Sequence, residues 1–163
     1  MQEIDKSKPV LVTGGSGYVA SWIIKMLLEE GINVNATVRD PSNSKKVDHL
    51  MALAKASGGQ LKLFKSDLLD TGIFDEPMRN CELVIHTASP FFITGIKNPE
   101  EELIRPAKEG TRNVLESAKR NPTVKRVVLT ISVVAIYGDN ADIAFTPGGV
   151  FTEKEWNRTN GTC

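Results

Sequence analysis

The segment Thr13-Gly14-Gly15-Ser16-Gly17-Tyr18-Val19-Ala20 sets small residues at G-x-x-G-x-x-A spacing between an apolar run and an amphipathic pattern. A sharp strand-to-helix turn needs a glycine at its first position, and backbone that must touch a pyrophosphate needs a second. Close packing of helix on strand then asks for a small third residue. Gly14, Gly17 and Ala20 stand in those positions. The free N–H groups around Ser16, Gly17, Tyr18 and Val19, with the dipole of the helix they open, favour a phosphate. With a strand before it and a helix after it, the loop predicts dinucleotide binding rather than a plain tight turn.

A second cluster follows about 20 residues on, where such a site meets the adenosine ribose. An acidic residue there would hold the 2′-hydroxyl of NAD, whereas an arginine would pair the 2′-phosphate of NADP. The sequence reads Arg39-Asp40, with Lys45-Lys46 close behind. Arginine comes first, and guanidinium–phosphate pairing is the strong interaction of this kind, so NADP is the expected cofactor and NAD the alternative. No Cys or His pair has metal-ligand spacing. His86, at the end of an apolar run, reads as a packed, hydrogen-bonded residue, and Cys81 as a small buried apolar one.

The elements that must carry these residues alternate along the whole chain. Pro9 to Thr13, Val34 to Val38, Leu61 to Lys65, Leu83 to His86 and Val127 to Ile131 are short apolar runs rich in β-branched residues. Between them, Ala20, Ile23, Ile24, Leu27 and Leu28 keep helical spacing, with Gly31 as the stop. Val47, Leu50, Met51 and Ala54 mark a second helix, and a short one is expected around Ile73 to Arg79. The longest should run from about Pro99 to Arg120, with Pro106 kinking it or marking a late start. Strand and helix in alternation predict α/β architecture: a doubly wound parallel sheet, Rossmann-like, with helices on both faces. Residues 1–138 form the expected NAD(P)-binding domain. Residues 139–163 read as a loop leading toward a missing catalytic and substrate part.

Composition narrows the classes further. In 163 residues, Lys plus Arg and Asp plus Glu are 20 each, so no basic excess argues for nucleic acid or an anionic membrane. No apolar run is long enough to span a bilayer, and Met1 to Lys8 has no secretory apolar stretch. Two cysteines, Cys81 and Cys163, make no disulfide framework, so a cytoplasmic chain is expected. The sequons at Asn157 and Asn160 read as chance matches in such a chain.

Several segments in order resemble the extended short-chain dehydrogenase/reductase superfamily, which includes the NAD-dependent epimerase/dehydratase family. Within it they resemble the dihydroflavonol reductase, cinnamoyl-CoA reductase and aldehyde reductase branch. They are Val12-Thr-Gly-Gly-Ser-Gly-Tyr18, Ala36-Thr-Val-Arg-Asp-Pro41, Ser66-Asp-Leu68, His86-Thr-Ala-Ser-Pro-Phe91, Arg105-Pro-Ala-Lys-Glu-Gly-Thr-Arg-Asn-Val-Leu115, Arg126-Val-Val-Leu-Thr-Ile-Ser132 and Glu153-Lys-Glu-Trp156. The resemblance implies that Arg39 and Lys46 select NADP. It implies that Asp67, with the Leu68 backbone, receives the adenine amino group; helix capping is an alternative or additional role for Asp67. Thr87, Ala88 and Ser89 match the loop lining the cofactor's ribose and pyrophosphate. Ser132 matches the catalytic serine that hydrogen-bonds the substrate carbonyl, although Ile131 fills a slot where the family usually has another serine. Phe91-Phe92 read as a core cap or a wall of the substrate pocket.

Ala107, where epimerases usually place an asparagine, and the five-residue step from Ser132 to Tyr137 favour a reductase. The implied reaction is hydride transfer to an aldehyde or ketone, with a tyrosine of a Tyr-x-x-x-Lys pair as proton donor. Tyr18 has Trp22 at the fourth position and Tyr137 has Ala141, so the chain holds no such pair. It is therefore expected to be the NADP-binding portion of a reductase, inactive alone. A sugar epimerase or dehydratase fragment and a non-catalytic NADP(H)-binding module are the alternatives. The resemblance also implies a possible homodimer through the long helix.

Overall fold

In the computed structural model, which describes residues 3–90 and 95–157, the run ahead of the glycine loop forms β1, Val10–Thr13, buried throughout. It pairs in parallel with β2, Val34–Val38, on one side and β4, Leu83–His86, on the other. β3, Leu61–Lys65, extends the sheet beyond β2, and β5, Arg126–Leu129, extends it beyond β4. The order is β3-β2-β1-β4-β5. The chain leaves β1 in one direction and resumes at β4 in the other. This reversal opens a crevice at the carboxyl ends of β1 and β4, where ligands of such sheets sit.

Alternation along the strands divides the core in two. Val10, Val12, Val34 and Ala36 pack with Ile24, Leu28 and Leu50 from helices α1, Tyr18–Glu29, and α2, Ser44–Ala56. Leu11 and Val84 pack instead with Phe74, Met78 and Val114, the last on helix α3, Arg105–Arg120. Truncating a fully buried side chain such as Leu28 or Leu50 costs about 2–5 kcal/mol in cores of this kind. α1 ends at Gly31, φ +75°. Gly31 N–H donates to the Leu28 carbonyl at 3.0 Å and Ile32 N–H to that of Leu27 at 2.9 Å, the paired closure that a left-handed glycine permits.

The short helix and the end of β5 differ from expectation, while Pro106 marks a late start of the long α-helix. No helix forms at 73–79, where the chain makes consecutive turns over 71–80. Gly72 and Asn80 both take positive φ there, and Pro77 has no N–H to give. Tertiary contacts hold the turns instead: Phe74 and Met78 are buried, Asn35 donates to the Pro77 carbonyl at 2.8 Å, and Arg120 pairs with Asp75 at 2.9 Å. The guanidinium beside it lowers the Asp75 carboxyl below the usual range. The long helix begins with a wide π-type turn, Glu100–Ile104, and becomes α-helical at Arg105, so Pro106 sits in its first turn where no N–H is missed. β5 ends at Leu129, two residues earlier than its apolar run.

The chain divides into two compact units, 1–129 and 130–163. The sheet is the first. The second is built of short 3₁₀ turns at Val133–Ala135, Asn140–Phe145 and Pro147–Gly149. In it Tyr137 stacks on Phe151 with ring centroids 4.5 Å apart, and Asp139 and Asp142 cap the middle turn reciprocally. Among the described residues no helix is long and apolar enough to cross a membrane. Phe91, Phe92, the sequon at Asn160 and Cys163 lie outside the described residues.

Candidate functional site

At Gly14 the loop takes a backbone that only glycine fits. Gly14 has φ +69°, and a Cβ there would lie 2.9 Å from the Ala88 Cα. Gly17 precedes the first turn of α1 with extended backbone, and a Cβ on it would meet the Gly14 carbonyl at 3.2 Å. Ala20 is buried under the helix. Gly14 is thus the position that requires glycine, while Gly17 and Ala20 stand where a small residue fits closely.

A cavity of about 390 Å³ opens at this loop within the first unit. Gly14, Ser16 and Gly17 form one side, and Thr87, Ala88 and Ser89 after β4 another. Arg39 after β2, with Asp67 and Leu68 after β3, closes the far end, and Glu102 and Pro106 reach it from the approach to α3. Nine of the expected cofactor residues thus share one cavity. Tyr18 and Val19 sit in the first turn of α1, largely exposed, and do not line it. Lys46, exposed in the first turn of α2, does not line it either. Ser132 belongs to the second unit, where its hydroxyl accepts from Val134 N–H at 3.4 Å.

Charge is distributed unevenly around the cavity. Asp40 is committed locally: its Oδ1 accepts from Ser42 N–H at 2.9 Å and from the Ser42 hydroxyl at 2.6 Å, which holds its carboxyl below the usual range. Arg39 makes no ion pair among the described residues, so the two neighbours are not a self-paired loop. Asp67 accepts from Leu69 N–H at 3.0 Å. That bond closes a turn with no helix after it, so the helix-capping role considered for Asp67 is replaced by a turn. α3 fixes the adjacent backbone, since Asn113 donates to the Leu68 carbonyl at 2.8 Å and a Cβ on Gly110 would meet the Leu68 side chain at 3.0 Å.

Three buried polar residues also belong to this region, and the motifs left their contacts unread. Ser66 is buried, reaches the cavity wall, and its hydroxyl oxygen has no partner among the described residues. Thr13 and His86, both buried at the ends of β1 and β4, meet with Oγ1 and Nδ1 2.7 Å apart. Burial pushes the His86 imidazole down to about 4. The β-branched, apolar strands around them carried the only signal, namely that both side chains would be inside. Cys81 is likewise buried, which raises its thiol to about 11 and leaves it unreactive.

These residues fit a dinucleotide: a cradle that a Cβ would fill at Gly14, an unpaired arginine, and an orphaned buried hydroxyl in one cavity. Among the described residues no cluster of His, Cys, Asp or Glu could hold a metal. A doubly wound sheet with a glycine-bounded cleft at its switch point defines a nucleotide-binding α/β protein.

The model of the NAD dependent epimerase/dehydratase family matches residues 10–160, and the chain belongs to that family. It is 53% identical over 127 residues to cinnamoyl-CoA reductase CAD2 of Medicago truncatula, covering 78% of this chain and 38% of that protein. It is 47% identical over 127 residues to dihydroflavonol 4-reductase of Solanum lycopersicum, covering 78% of this chain and 33% of that one. The structure of yeast methylglyoxal/isovaleraldehyde reductase Gre2 complexed with NADPH is similar at TM-score 0.75 and 28% identity, over 94% of this chain and 45% of that one. The resemblance to the reductase branch is borne out by these relatives. The chain spans less than half the length of each.

Proposed function

We propose that this chain is the NADP(H)-binding portion of an oxidoreductase that reduces an aldehyde or ketone. The carrying observation is the division of labour at the end of β2. Asp40 is tied to Ser42, while Arg39 faces the cavity with no ion pair among the described residues. That arrangement suits a 2′-phosphate and disfavours the carboxylate-to-ribose bond that selects NAD. The relatives, which are reductases by name, support the reaction class.

In this reading Gly14, Ser16 and Gly17, with the first turn of α1 through Tyr18 and Val19, take the pyrophosphate on backbone N–H groups. Arg39 and Lys46 take the 2′-phosphate. Asp67 and the Leu68 backbone take the adenine edge, and Thr87, Ala88 and Ser89 line the ribose. The bound cofactor supplies a hydride to the carbonyl carbon of the substrate. The Ser132 hydroxyl is the group that would hydrogen-bond the carbonyl oxygen of the substrate. Residues 1–138 serve as the binding domain and 139–163 lead toward the substrate part. A cytoplasmic setting and a homodimer through α3 are part of the same proposal.

Calorimetric titration of the 163-residue chain tests this reading. NADPH should bind at least about 10-fold tighter than NADH, since a charge-assisted bond contributes roughly 1.5–3 kcal/mol. Arg39→Ala should erase most of that preference while leaving NADH unchanged. Equal affinity for the two cofactors, or an NADH preference, would overturn the role of Arg39.

A further inference from the structure

We infer that His86 is a positioning residue for the cofactor cavity: as a neutral acceptor it orients the Thr13 hydroxyl, which gathers the backbone of the loop after β4. The inference deepens the dinucleotide reading of the cavity and rests on it for its binding consequence. A hydroxyl has one proton and two lone pairs. Thr87 N–H donates to Thr13 Oγ1 at 3.2 Å and Ala88 N–H donates to the same oxygen at 3.1 Å. Both lone pairs are then occupied, so the hydroxyl proton must go to the remaining neighbour, His86 Nδ1 at 2.7 Å. That nitrogen has to be bare, which leaves the ring neutral with its proton on Nε2. Protonated at both nitrogens, His86 would set a donor against a donor.

The strand register explains why these groups meet. β1 and β4 run in parallel with Thr13 opposite His86, so the last residues of the two central strands sit side by side across 73 positions of sequence. The Thr87 hydroxyl closes the other side by donating to the Thr13 carbonyl at 2.5 Å. Four groups thus tie residues 86–88 to residue 13, immediately before Gly14. The same loop approaches Gly14 so closely that a Cβ would lie 2.9 Å from Ala88 Cα. The two loops are fixed to each other here, and among the described residues no other acceptor stands at the Thr13 hydroxyl to take its proton. With Leu in place of His86, the hydroxyl would keep its two amide bonds only with its own proton unpaired in a buried site, or turn and lose one of them.

The experiment has two readouts on the same 163-residue chain. Long-range nitrogen–proton NMR with labelled histidine, His49 being separated by a His49→Gln variant, should show His86 protonated on Nε2 and bare on Nδ1 at neutral pH. A proton on Nδ1 would overturn the inference. Binding of NADPH should weaken at least about 10-fold in His86→Leu and return to within about 3-fold of wild type in His86→Asn. The asparagine side-chain oxygen can stand where Nδ1 stands, so it restores the acceptor without the ring. His86→Leu binding like wild type, or His86→Asn as weak as His86→Leu in a chain that still melts cooperatively, would also overturn it. A wild-type chain that binds no dinucleotide would instead overturn the reading of the cavity, and the tautomer would still decide the hydrogen-bond arrangement.

Discussion

The two walls of the cavity are built on opposite terms. At the ends of β1 and β4, Thr13, His86, Thr87 and Ala88 satisfy one another through four bonds of 2.5 to 3.2 Å, which take the proton and both lone pairs of the Thr13 hydroxyl, and the Thr13 carbonyl. At the ends of β2 and β3, Asp67 is exposed, and among the described residues Arg39 has no ion pair and the Ser66 hydroxyl has no partner. The first wall uses its polar groups internally and gains a fixed shape. The second leaves Arg39 and Asp67 in solvent and one buried hydroxyl in reserve, and so has something to offer a ligand. Buried groups left unpaired cost roughly 1–3 kcal/mol each, which a bound cofactor can offset.

The largest way to break this contrast is at Gly14. Gly14→Ala adds a Cβ against Ala88 backbone and forces a side chain into φ +69°. The expected cost is about 2–4 kcal/mol of stability, and NADPH should no longer saturate the chain in a calorimetric titration. A variant that melts and binds like wild type would mean that the first wall is not rigid.

Acid probes the same wall without a substitution. His86 titrates at about 4 in the folded chain because burial disfavours its charged form, against an ordinary value of 6.5. Its lowered value means that the unfolded chain binds the proton first. Its contribution is therefore intact above about pH 6.5 and is lost as pH falls toward 4, by a total on the order of 3 kcal/mol. Urea melts from pH 7 down to pH 4 should show this fall, and His86→Asn should flatten it in that window.

The smallest effect is expected on the second wall. Ser66→Ala removes a buried hydroxyl that has no partner, so the chain should be unchanged or up to about 1 kcal/mol more stable. Thermal melting is the check. A loss above 1 kcal/mol would show that Ser66 is already engaged and that the two walls do not differ in kind.

Much of this was legible from the chain alone, for local reasons. A short β-branched run closed by glycines has few options besides a buried strand, so β2, β3 and β4 begin and end where their apolar runs do. G-x-x-G-x-x-A spacing dictates a tight turn whatever surrounds it. The short helix expected around Ile73 to Arg79 does not form, and the segment 71–80 turns instead. Its conformation is decided by Asn35 and Arg120, which reach it from elsewhere in the chain.

The sequence by itself determined the alternating parallel architecture, the steric need for Gly14 and Gly17, and the arginine at the end of β2. Those follow from the backbone freedom and side-chain chemistry of residues close together in the chain. Only the tertiary structure decided that Arg39 faces the cavity and that Ser66 is buried without a partner among the described residues. Only it could set Thr13 beside His86. The parallel register of β1 on β4 brings those two together, and hydrogen bonds between residues 73 apart depend on that register rather than on any local pattern.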